Sequence, residues 1–256
     1  CYQLVQSHHQ LQRQELFENW IDAFLDIYNG SLQAVENPNI AIVDYLASAT
    51  IYEFEEYRRR FERRGYRCMI CDIDSLRFKD DTLLGIDVDP DRAEKYGPTQ
   101  IDAVYRRAVT NELLAELKVE DDDRASGARA LVNAVESMSI CMIGGFRTQI
   151  AHCKQLFSIL HLPQTSAFMT DEQRDFIHRH IPHTSPLSSQ HLDLEAVIAN
   201  KDSWIIKPED GYASKGVHAG IDHNGKQWRD LVAQHSDDNY IAQTYCQQYP
   251  MLNTRP

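Results

Sequence analysis

The sequence of 256 residues has no long apolar run and no excess of basic residues. Its longest apolar stretches, such as Ile40–Val43 and Trp204–Ile206, are far shorter than the roughly 18 residues that a membrane-spanning helix needs. A formal net charge of −12 argues against a general nucleic-acid-binding protein, because such proteins present a basic surface to phosphates. We therefore expect a soluble, cytoplasmic protein that binds neither nucleic acid nor a membrane.

Cysteine and histidine are too scattered to predict a disulfide framework or a zinc site. The six cysteines are spread thinly along the chain, so reduced thiols are expected. Cys68 and Cys71 have the C-x-x-C spacing, but they lie within an apolar run and are interpreted as buried strand residues. The histidines lack a matched partner cluster for zinc. The acidic run 120–123 is interpreted as a solvated loop.

Apolar periodicity in the first half of the chain predicts an α/β fold. Spacings of three and four within residues 8–28 predict an amphipathic helix. A short β-branched run at 39–45 and a second predicted strand at 66–73 flank a helical stripe at 51–64. This order predicts a βαβ unit with parallel strands and a right-handed crossover.

The remaining segments alternate between predicted helices, strands and loops. Residues 79–100 are rich in Gly and Pro and are predicted to form a loop or short hairpin. Further strands are predicted at 101–107 and 139–143, and helices at 124–136, 147–160, 171–179 and 192–200. The last part is predicted to run strand, Gly-rich loop, strand, helix, strand.

The segment 204–217 is the feature most indicative of function. An apolar strand places Lys207 at its end, and the small residues of 211–216 then turn the chain back. Glycine and serine let main-chain N–H groups come close to phosphate oxygens, and the lysine adds a positive charge. A surface hairpin with the same composition is the alternative that this motif leaves open.

The order of motifs around this loop resembles the ATP-grasp family. Lys207-Pro208 and the loop are similar to the family's nucleotide lysine and phosphate-covering loop. Residues 239–246 are similar to the strand and linker that receive adenine. Residues 153–160, followed by Leu162-Pro163, are similar to the helix that carries a second phosphate-contacting lysine.

The resemblance implies a role for each matching residue. Lys207 is expected to contact the adenine side and the α-phosphate, and Lys154 the β-phosphate. The residues expected to lie over the phosphates are Ser214, Lys215 and Gly216. Those expected to frame adenine through main-chain groups are Gln243, Tyr245 and Cys246.

A second resemblance concerns paired arginines. The segment 102–107, followed by Asn133-Ala134, resembles glutathionylspermidine-synthase-like and circularly permuted ATP-grasp proteins, where a strand ending in two arginines faces the active site. An arginine fork can bind a phosphate or carboxylate at two points. Arg106 and Arg107 should point to opposite faces of the strand, so one is expected to act, with a slight preference for Arg107.

Asn111 and Glu112 follow the arginines and are the candidate Mg²⁺ ligands. Carboxylate and amide oxygens suit this cation, but both residues also suit the start of a helix. The sequence leaves the two roles open.

Taken as a whole, the resemblance implies a Rossmann-like pre-ATP-grasp domain at 31–145 after an N-terminal helix at 1–30. An incomplete ATP-grasp region at 146–256 follows, with its C-terminal part expected beyond Pro256. The implied function is an ATP-dependent ligase that uses ATP and Mg²⁺ to join a small-molecule or peptide carboxylate to an amine through an acyl phosphate. A non-catalytic nucleotide-binding or regulatory module and a Rossmann-like interaction domain are the alternatives. The sequence indicates neither the two substrates nor the oligomeric state.

Overall fold

The computed structural model describes residues 15–118 and 126–247. The chain divides into two compact units, Cys1–Phe146 (unit 1) and Arg147–Pro256 (unit 2). The acidic run 120–123 and the first part of the helix predicted at 8–28 lie outside the described residues. The α/β class predicted from the sequence is confirmed, because unit 1 contains a parallel sheet and unit 2 an antiparallel one.

Unit 1 is centred on a parallel sheet of four strands. They are β1 (Asn39–Asp44), β2 (Arg67–Asp72), β6 (Ala103–Arg106) and β7 (Cys141–Ile143). The order is β2-β1-β6-β7. After β1 the chain adds β2 on one side of it, and later adds β6 and β7 on the other side. The predicted parallel βαβ unit is confirmed, with β1 and β2 in register from Asn39–Arg67 to Asp44–Asp72.

Helices cover both faces of this sheet. Side chains alternate across each strand, so Ile40 and Ile42 pack with α1 (Leu16–Asn29) and α2 (Ile51–Arg63). Ala41 and Val43 pack on the other side with α4 (Thr110–Leu117) and α5 (Ser126–Glu136). The central residues of β1 and β2 are therefore buried on both faces of the sheet, which explains why they are continuously apolar.

Residues 79–100 contain more structure than was predicted. The hairpin is confirmed as β3 (Arg77–Lys79) and β4 (Thr82–Gly85), and β5 (Thr99–Gln100) completes a small antiparallel sheet. The prediction missed α3 (Pro90–Tyr96), which buries no side chain and so shows no apolar periodicity. Its signal was local: the Asp89 carboxylate accepts two main-chain N–H groups, and Pro90 is the first helical residue.

The buried-strand interpretation of the C-x-x-C pair is confirmed. Cys68 and Cys71 lie inside β2, and burial raises the pKa of both thiols. Both are free, as are the other cysteines of the described segments. Within those same segments, no helix is long and apolar enough to cross a membrane.

Unit 2 is built on an antiparallel sheet in the order β10-β9-β11-β8. Its strands are β8 (Thr184–Pro186), β9 (Trp204–Pro208), β10 (His218–Ala219) and β11 (Tyr240–Thr244). Two helices, α10 (Leu194–Ala199) and α11 (Gly225–His235), pack on it around the fully buried Trp228. The predicted run of strand, loop, strand, helix and strand is confirmed.

The single helix predicted at 147–160 is wrong. The chain forms a 3₁₀ turn at Phe146–Thr148, α6 (Gln149–His152) and α7 (Gln155–Leu160), with Cys153 in an extended conformation between the two helices. A continuous helix would direct the Lys154 N–H to a carbonyl four residues earlier. Instead this N–H donates to the Glu209 carbonyl oxygen at 2.7 Å, so a tertiary contact overrides the local pattern.

The helices that follow agree better with the sequence. After α8 (Pro163–Ser166), α9 (Asp171–His180) begins with a capping box in which Thr170 and Gln173 satisfy each other's main-chain N–H groups. The helix predicted at 171–179 is thereby confirmed, and α10 lies within the predicted 192–200.

Candidate functional site

The candidate site of unit 2 is built on the hairpin of β9 and β10. Strand β9 pairs with β10 on one side and with β11 on the other. Because side chains alternate, Ile206 enters the core while Lys207 points to the other face at the strand's end. The predicted position of the lysine is therefore confirmed, and the chain from 209 to 217 connects the two strands beside it.

This connection contains three left-handed residues. Ala213, Ser214 and Gly216 have φ values of 53°, 58° and 70°. For the two residues with a Cβ this conformation costs about 1–2 kcal/mol each, and such strain concentrates at ligand-binding segments. Left-handed residues in turns also help to direct main-chain N–H groups into concavities that bind anions.

The loop covers a cleft of about 310 Å³. This volume lies at the lower end of the roughly 300–1,000 Å³ of small-molecule sites, so the cleft accommodates a compact group or part of a larger ligand. Its lining is basic and, among the described residues, contains no carboxylate. The lining residues are Lys154, Lys207, Pro208, Gly211, Tyr212, Ala213, Ser214, Lys215 and Val217.

Lys154 reaches the cleft from the bend between α6 and α7. Its Nζ donates to the Gly211 carbonyl oxygen at 2.7 Å. The Gln155 side chain hydrogen-bonds the Glu209 carboxylate, and Gln149 donates to Asp210 at 2.8 Å. Together with the hydrogen bond from the Lys154 N–H to the Glu209 carbonyl oxygen, these contacts hold the bend between α6 and α7 against residues 209–211. The extended conformation of Cys153 directs Lys154 towards the beginning of the loop.

Lys207 carries a positive charge that the described protein groups only partly compensate. Its Nζ donates to Gln243 Oε1 at 2.6 Å. Burial lowers the pKa of Lys207, and the positive charge of Lys154 lowers it further. No carboxylate of the described residues is among the groups that shift this pKa. An anion in the cleft would oppose both effects, so the site is electrostatically suited to a negatively charged ligand.

The residues predicted to frame adenine lie at the end of β11 and just beyond it. Gln243 faces Lys207 with its side chain. The Tyr245 N–H donates to the Ser203 carbonyl oxygen at 2.8 Å, so this donor is already engaged within the fold. Cys246 is exposed, with its Sγ 3.8 Å from the Thr244 carbonyl oxygen. Main-chain contacts with adenine remain a prediction.

Arg106 is the last residue of β6, and Arg107 follows it in unit 1 with different hydrogen-bond partners. Arg106 donates to the carbonyl oxygens of Gly144 and Ala108, and burial lowers its pKa. Arg107 pairs with Glu53 at 3.3 Å and donates to the Tyr105 hydroxyl at 3.2 Å. Both guanidinium groups have partners within unit 1, and their catalytic role remains a prediction.

Asn111 and Glu112 lie in the first turn of α4. This is the position expected for their alternative role as residues that start a helix. In the described segments, no group of three or more His, Cys, Asp or Glu side chains could hold a metal ion. The described lining of the cleft also offers no carboxylate, and Mg²⁺ at nucleotide sites is held in part by the phosphates of the substrate. The metal role of Asn111 and Glu112 remains a prediction, and no chemical step is derived from it.

Replacing Gly216 with alanine is expected to destabilise unit 2. A Cβ on Gly216 would lie 2.6 Å from the Tyr240 hydroxyl and 3.0 Å from Pro208 Cγ, on a backbone with φ of +70°. We expect Gly216→Ala to lower the free energy of unfolding by about 1–3 kcal/mol, measured by urea denaturation.

The matched control for this variant is Gly225→Ala. Gly225 opens α11, and its Cβ would have no neighbour within 4 Å. Alanine there should be neutral or stabilising, since it favours the helix. Equal stability of the Gly216→Ala and Gly225→Ala proteins would contradict the loop conformation.

Comparison with known proteins gives no match by sequence. No protein-family model matches the chain, and no curated protein matches it. Comparison with solved structures finds similarities with TM-scores below 0.5, among them to an ATP-grasp ligase, a D-cycloserine synthetase and a D-alanine-D-alanine ligase.

Three of these structures illustrate the level of similarity. The ATP-grasp ligase PsnB, complexed with a phosphomimetic variant of minimal precursor, Mg and ADP, is 15% identical, with a TM-score of 0.43 over 85% of this chain and 68% of PsnB. D-cycloserine synthetase DcsG is 16% identical, with a TM-score of 0.40 over 81% of this chain and 59% of DcsG. The D-alanine-D-alanine ligase from Coxiella burnetii is 13% identical, with a TM-score of 0.39 over 83% of this chain and 62% of the ligase.

The chain thus spans less than two thirds of the length of two of these three proteins. Identities of 13 to 16% with TM-scores of 0.39 to 0.43 do not assign a function to this chain.

Proposed function

We propose that unit 2 binds ATP, with the phosphates in the cleft between Lys154, Lys207 and the loop 211–216. The observation that supports this most directly is the pair of lysines lining one cleft whose described lining contains no carboxylate. A triphosphate supplies the negative charge that this cleft accommodates, and loops of small residues suit phosphate oxygens. The order of motifs in the sequence favours ATP over other polyphosphates.

The residues that the sequence resemblance indicates each have a proposed role. Lys207 contacts the α-phosphate and the adenine side, and Lys154 the β-phosphate. Ser214, Lys215 and Gly216 lie over the phosphates. Gln243, Tyr245 and Cys246 frame adenine through main-chain groups, except for the Tyr245 N–H, which already donates to the Ser203 carbonyl oxygen.

We further propose that the chain belongs to a ligase that joins a carboxylate to an amine. A carboxylate oxygen attacks the γ-phosphorus, ADP leaves, and an acyl phosphate forms. The amine then attacks the acyl carbon, phosphate leaves, and an amide remains. Catalysis in this scheme comes from positioning and charge neutralisation by the lysines, and no enzyme nucleophile is needed. The participation of Mg²⁺, Asn111, Glu112 and one of the two arginines, with the glutathionylspermidine-synthase-like subtype, rests on the sequence resemblance.

The proposal is tested by calorimetric titration of Mg-ATP, Mg-GTP and sodium triphosphate into the purified protein and its Lys207→Met variant. We expect wild-type protein to bind ATP in preference to GTP. Lys207→Met should weaken binding about 10- to 100-fold, because a hydrogen bond to a charged group is worth about 1.5–3 kcal/mol. Lys226→Met is the matched control, since Lys226 is an exposed lysine of the same unit at the start of α11.

Each outcome has a distinct meaning. Absence of ATP binding to the wild type would contradict the proposed site. If triphosphate bound as tightly as ATP, the site would recognise only the phosphates and not the nucleoside. ATP binding without ADP release in the presence of carboxylates and amines would favour a non-catalytic nucleotide-binding or regulatory module. Equal losses in Lys207→Met and Lys226→Met would show that only overall charge matters.

A further inference from the structure

A buried chain of hydrogen bonds runs from the cleft into the sheet of unit 2. Lys207 Nζ donates to Gln243 Oε1 at 2.6 Å, and Gln243 Nε2 donates to Thr184 Oγ1 at 2.8 Å. Thr184 Oγ1 in turn donates to the Pro182 carbonyl oxygen at 2.9 Å. Gln243 is 8% exposed and Thr184 is 2% exposed, so water has little access to the hydrogen bond between their side chains. Nothing in the sequence singled out Thr184.

One orientation of this hydrogen-bonded series satisfies every group in it. A carbonyl oxygen can only accept, so the Pro182 carbonyl takes the hydroxyl proton of Thr184. The Thr184 oxygen then offers only lone pairs and must accept from the amide nitrogen of Gln243. This leaves the amide oxygen of Gln243 as the atom that faces Lys207.

The sheet register sets this geometry. Thr184 on β8 and Gln243 on β11 are direct partners in the antiparallel pairing. Lys207 lies on β9, on the other side of β11, where Gln243 pairs with Ile205. The side chain of Gln243 therefore joins β8 and β9, the two strands that flank β11, and Thr184 orients its amide.

We propose that Thr184 is a positioning residue for Lys207: its hydroxyl fixes the Gln243 amide so that an oxygen atom faces the lysine head. This proposal rests on the proposed function, in which Lys207 binds the phosphates of ATP. An oxygen in that position favours the protonated lysine, whereas a rotated amide would present an NH₂ group and repel it. Thr184 thus favours the positive charge of Lys207, to which the phosphates bind, without contacting the ligand itself.

Other groups around Lys207 act on the same charge. Lys154 opposes protonation from the bend between α6 and α7, and the thiol of Cys246 favours it from the chain after β11. Lys215 and Tyr212 line the same cleft from the loop. Burial and Lys154 both lower the pKa of Lys207. The Gln243 oxygen opposes these two effects because it accepts a hydrogen bond from the protonated lysine.

The first test follows the titration of Lys207 in protein without nucleotide. Lysines are dimethylated with ¹³C and observed by NMR, and the Lys207 signal is assigned by its loss in Lys207→Arg. Thr184→Val keeps the side-chain shape but lacks the hydroxyl, so the pKa of Lys207 should fall further below its wild-type value. Thr184→Ser restores the hydroxyl and should restore the pKa. An unchanged Lys207 titration in Thr184→Val would overturn the proposal.

The second test measures ATP affinity as a function of pH. Wild-type affinity should decrease as pH rises through the lowered pKa of Lys207, because the neutral amine no longer attracts phosphate. In Thr184→Val this decrease should begin at lower pH, with ATP binding about three- to tenfold weaker at pH 8, corresponding to one ordinary hydrogen bond. Thr184→Ser should bind within about twofold of the wild type. A purely structural role would weaken binding equally at every pH, which would contradict the proposal.

Two further variants complete the design. Ser185→Ala changes the neighbouring residue of β8, whose hydroxyl makes only a 3.5 Å contact with the His191 carbonyl oxygen, and should leave the Lys207 titration unchanged. Gln243→Met removes the amide itself and should lower the pKa of Lys207 even if Thr184→Val folds poorly. If the wild type failed to bind ATP, the proposed function would fail, yet the titration of Lys207 would still decide the role of Thr184.

Discussion

Gly220→Ala is expected to lower the free energy of unfolding of unit 2 by about 3 kcal/mol or more, beyond the usual range of overpacking. A Cβ on Gly220 would lie 1.9 Å from the Lys201 carbonyl oxygen and 2.6 Å from its carbonyl carbon. Both are main-chain atoms, so no rotamer change can relieve the clash. Urea denaturation followed by far-ultraviolet circular dichroism measures the loss.

The clash lies where two 3₁₀ turns meet. The turn Lys201–Ser203 leads into β9, and the turn Gly220–Asp222 follows β10. Lys201 Nζ also donates to the Gly220 carbonyl oxygen at 3.1 Å. Separating the turns would therefore disturb both strands of the hairpin that carries Lys207, and we expect ATP binding to be lost together with stability. A Gly220→Ala protein as stable as Gly225→Ala would contradict this close approach.

The hairpin was predictable because its sequence signals are local. In 204–208 apolar residues precede a single lysine, and the loop that follows is rich in small residues. A two-residue period then suffices to place Ile206 in the core and Lys207 on the opposite face. Short continuous apolar runs predicted β1 and β2, since such runs are typical of strands covered on both sides, and a helical stripe of aromatic residues predicted the helix between them.

The features that escaped prediction depend on long-range contacts or on weak local signals. The break at Cys153 exists because Lys154 bonds to Glu209 and Gly211, which are more than 50 residues away in sequence. Helix α3 has clear capping residues but no buried face, and periodicity detects only buried faces. In both cases an apolar pattern was the wrong guide, because polar contacts decide where the helix begins or ends.

Thr184 shows the same limit within the candidate site. It hydrogen-bonds to a residue 59 positions later in the sequence, and that bond depends on the register of β8 and β11. A threonine after a Pro-His pair indicates nothing by itself. The two lysines could be recognised from the motif order, whereas the residue that orients one of them becomes visible only in the folded sheet.

The second large effect is expected for Trp228→Ala, which removes the largest side chain from the core behind the cleft. Trp228 is fully buried and packs in one cluster with Ile206 of β9 and Ala242 of β11. Truncating a buried tryptophan costs about 3–5 kcal/mol. The core of unit 2 is small, so we expect this variant to lose the cooperative unfolding transition of the unit in urea and, with it, ATP binding.

Trp228→Phe separates the two contributions of the side chain. The indole Nε1 donates to the Val197 carbonyl oxygen at 3.2 Å, and phenylalanine removes this bond while retaining most of the apolar ring. We expect a loss of about 1–3 kcal/mol for a buried carbonyl left without its donor, clearly less than for alanine. Equal losses would mean that the hydrogen bond matters more than the packing. Because Ile206 and Lys207 are neighbours on β9, a Trp228→Phe protein that folds but binds ATP weakly would show that the core sets the position of the lysine.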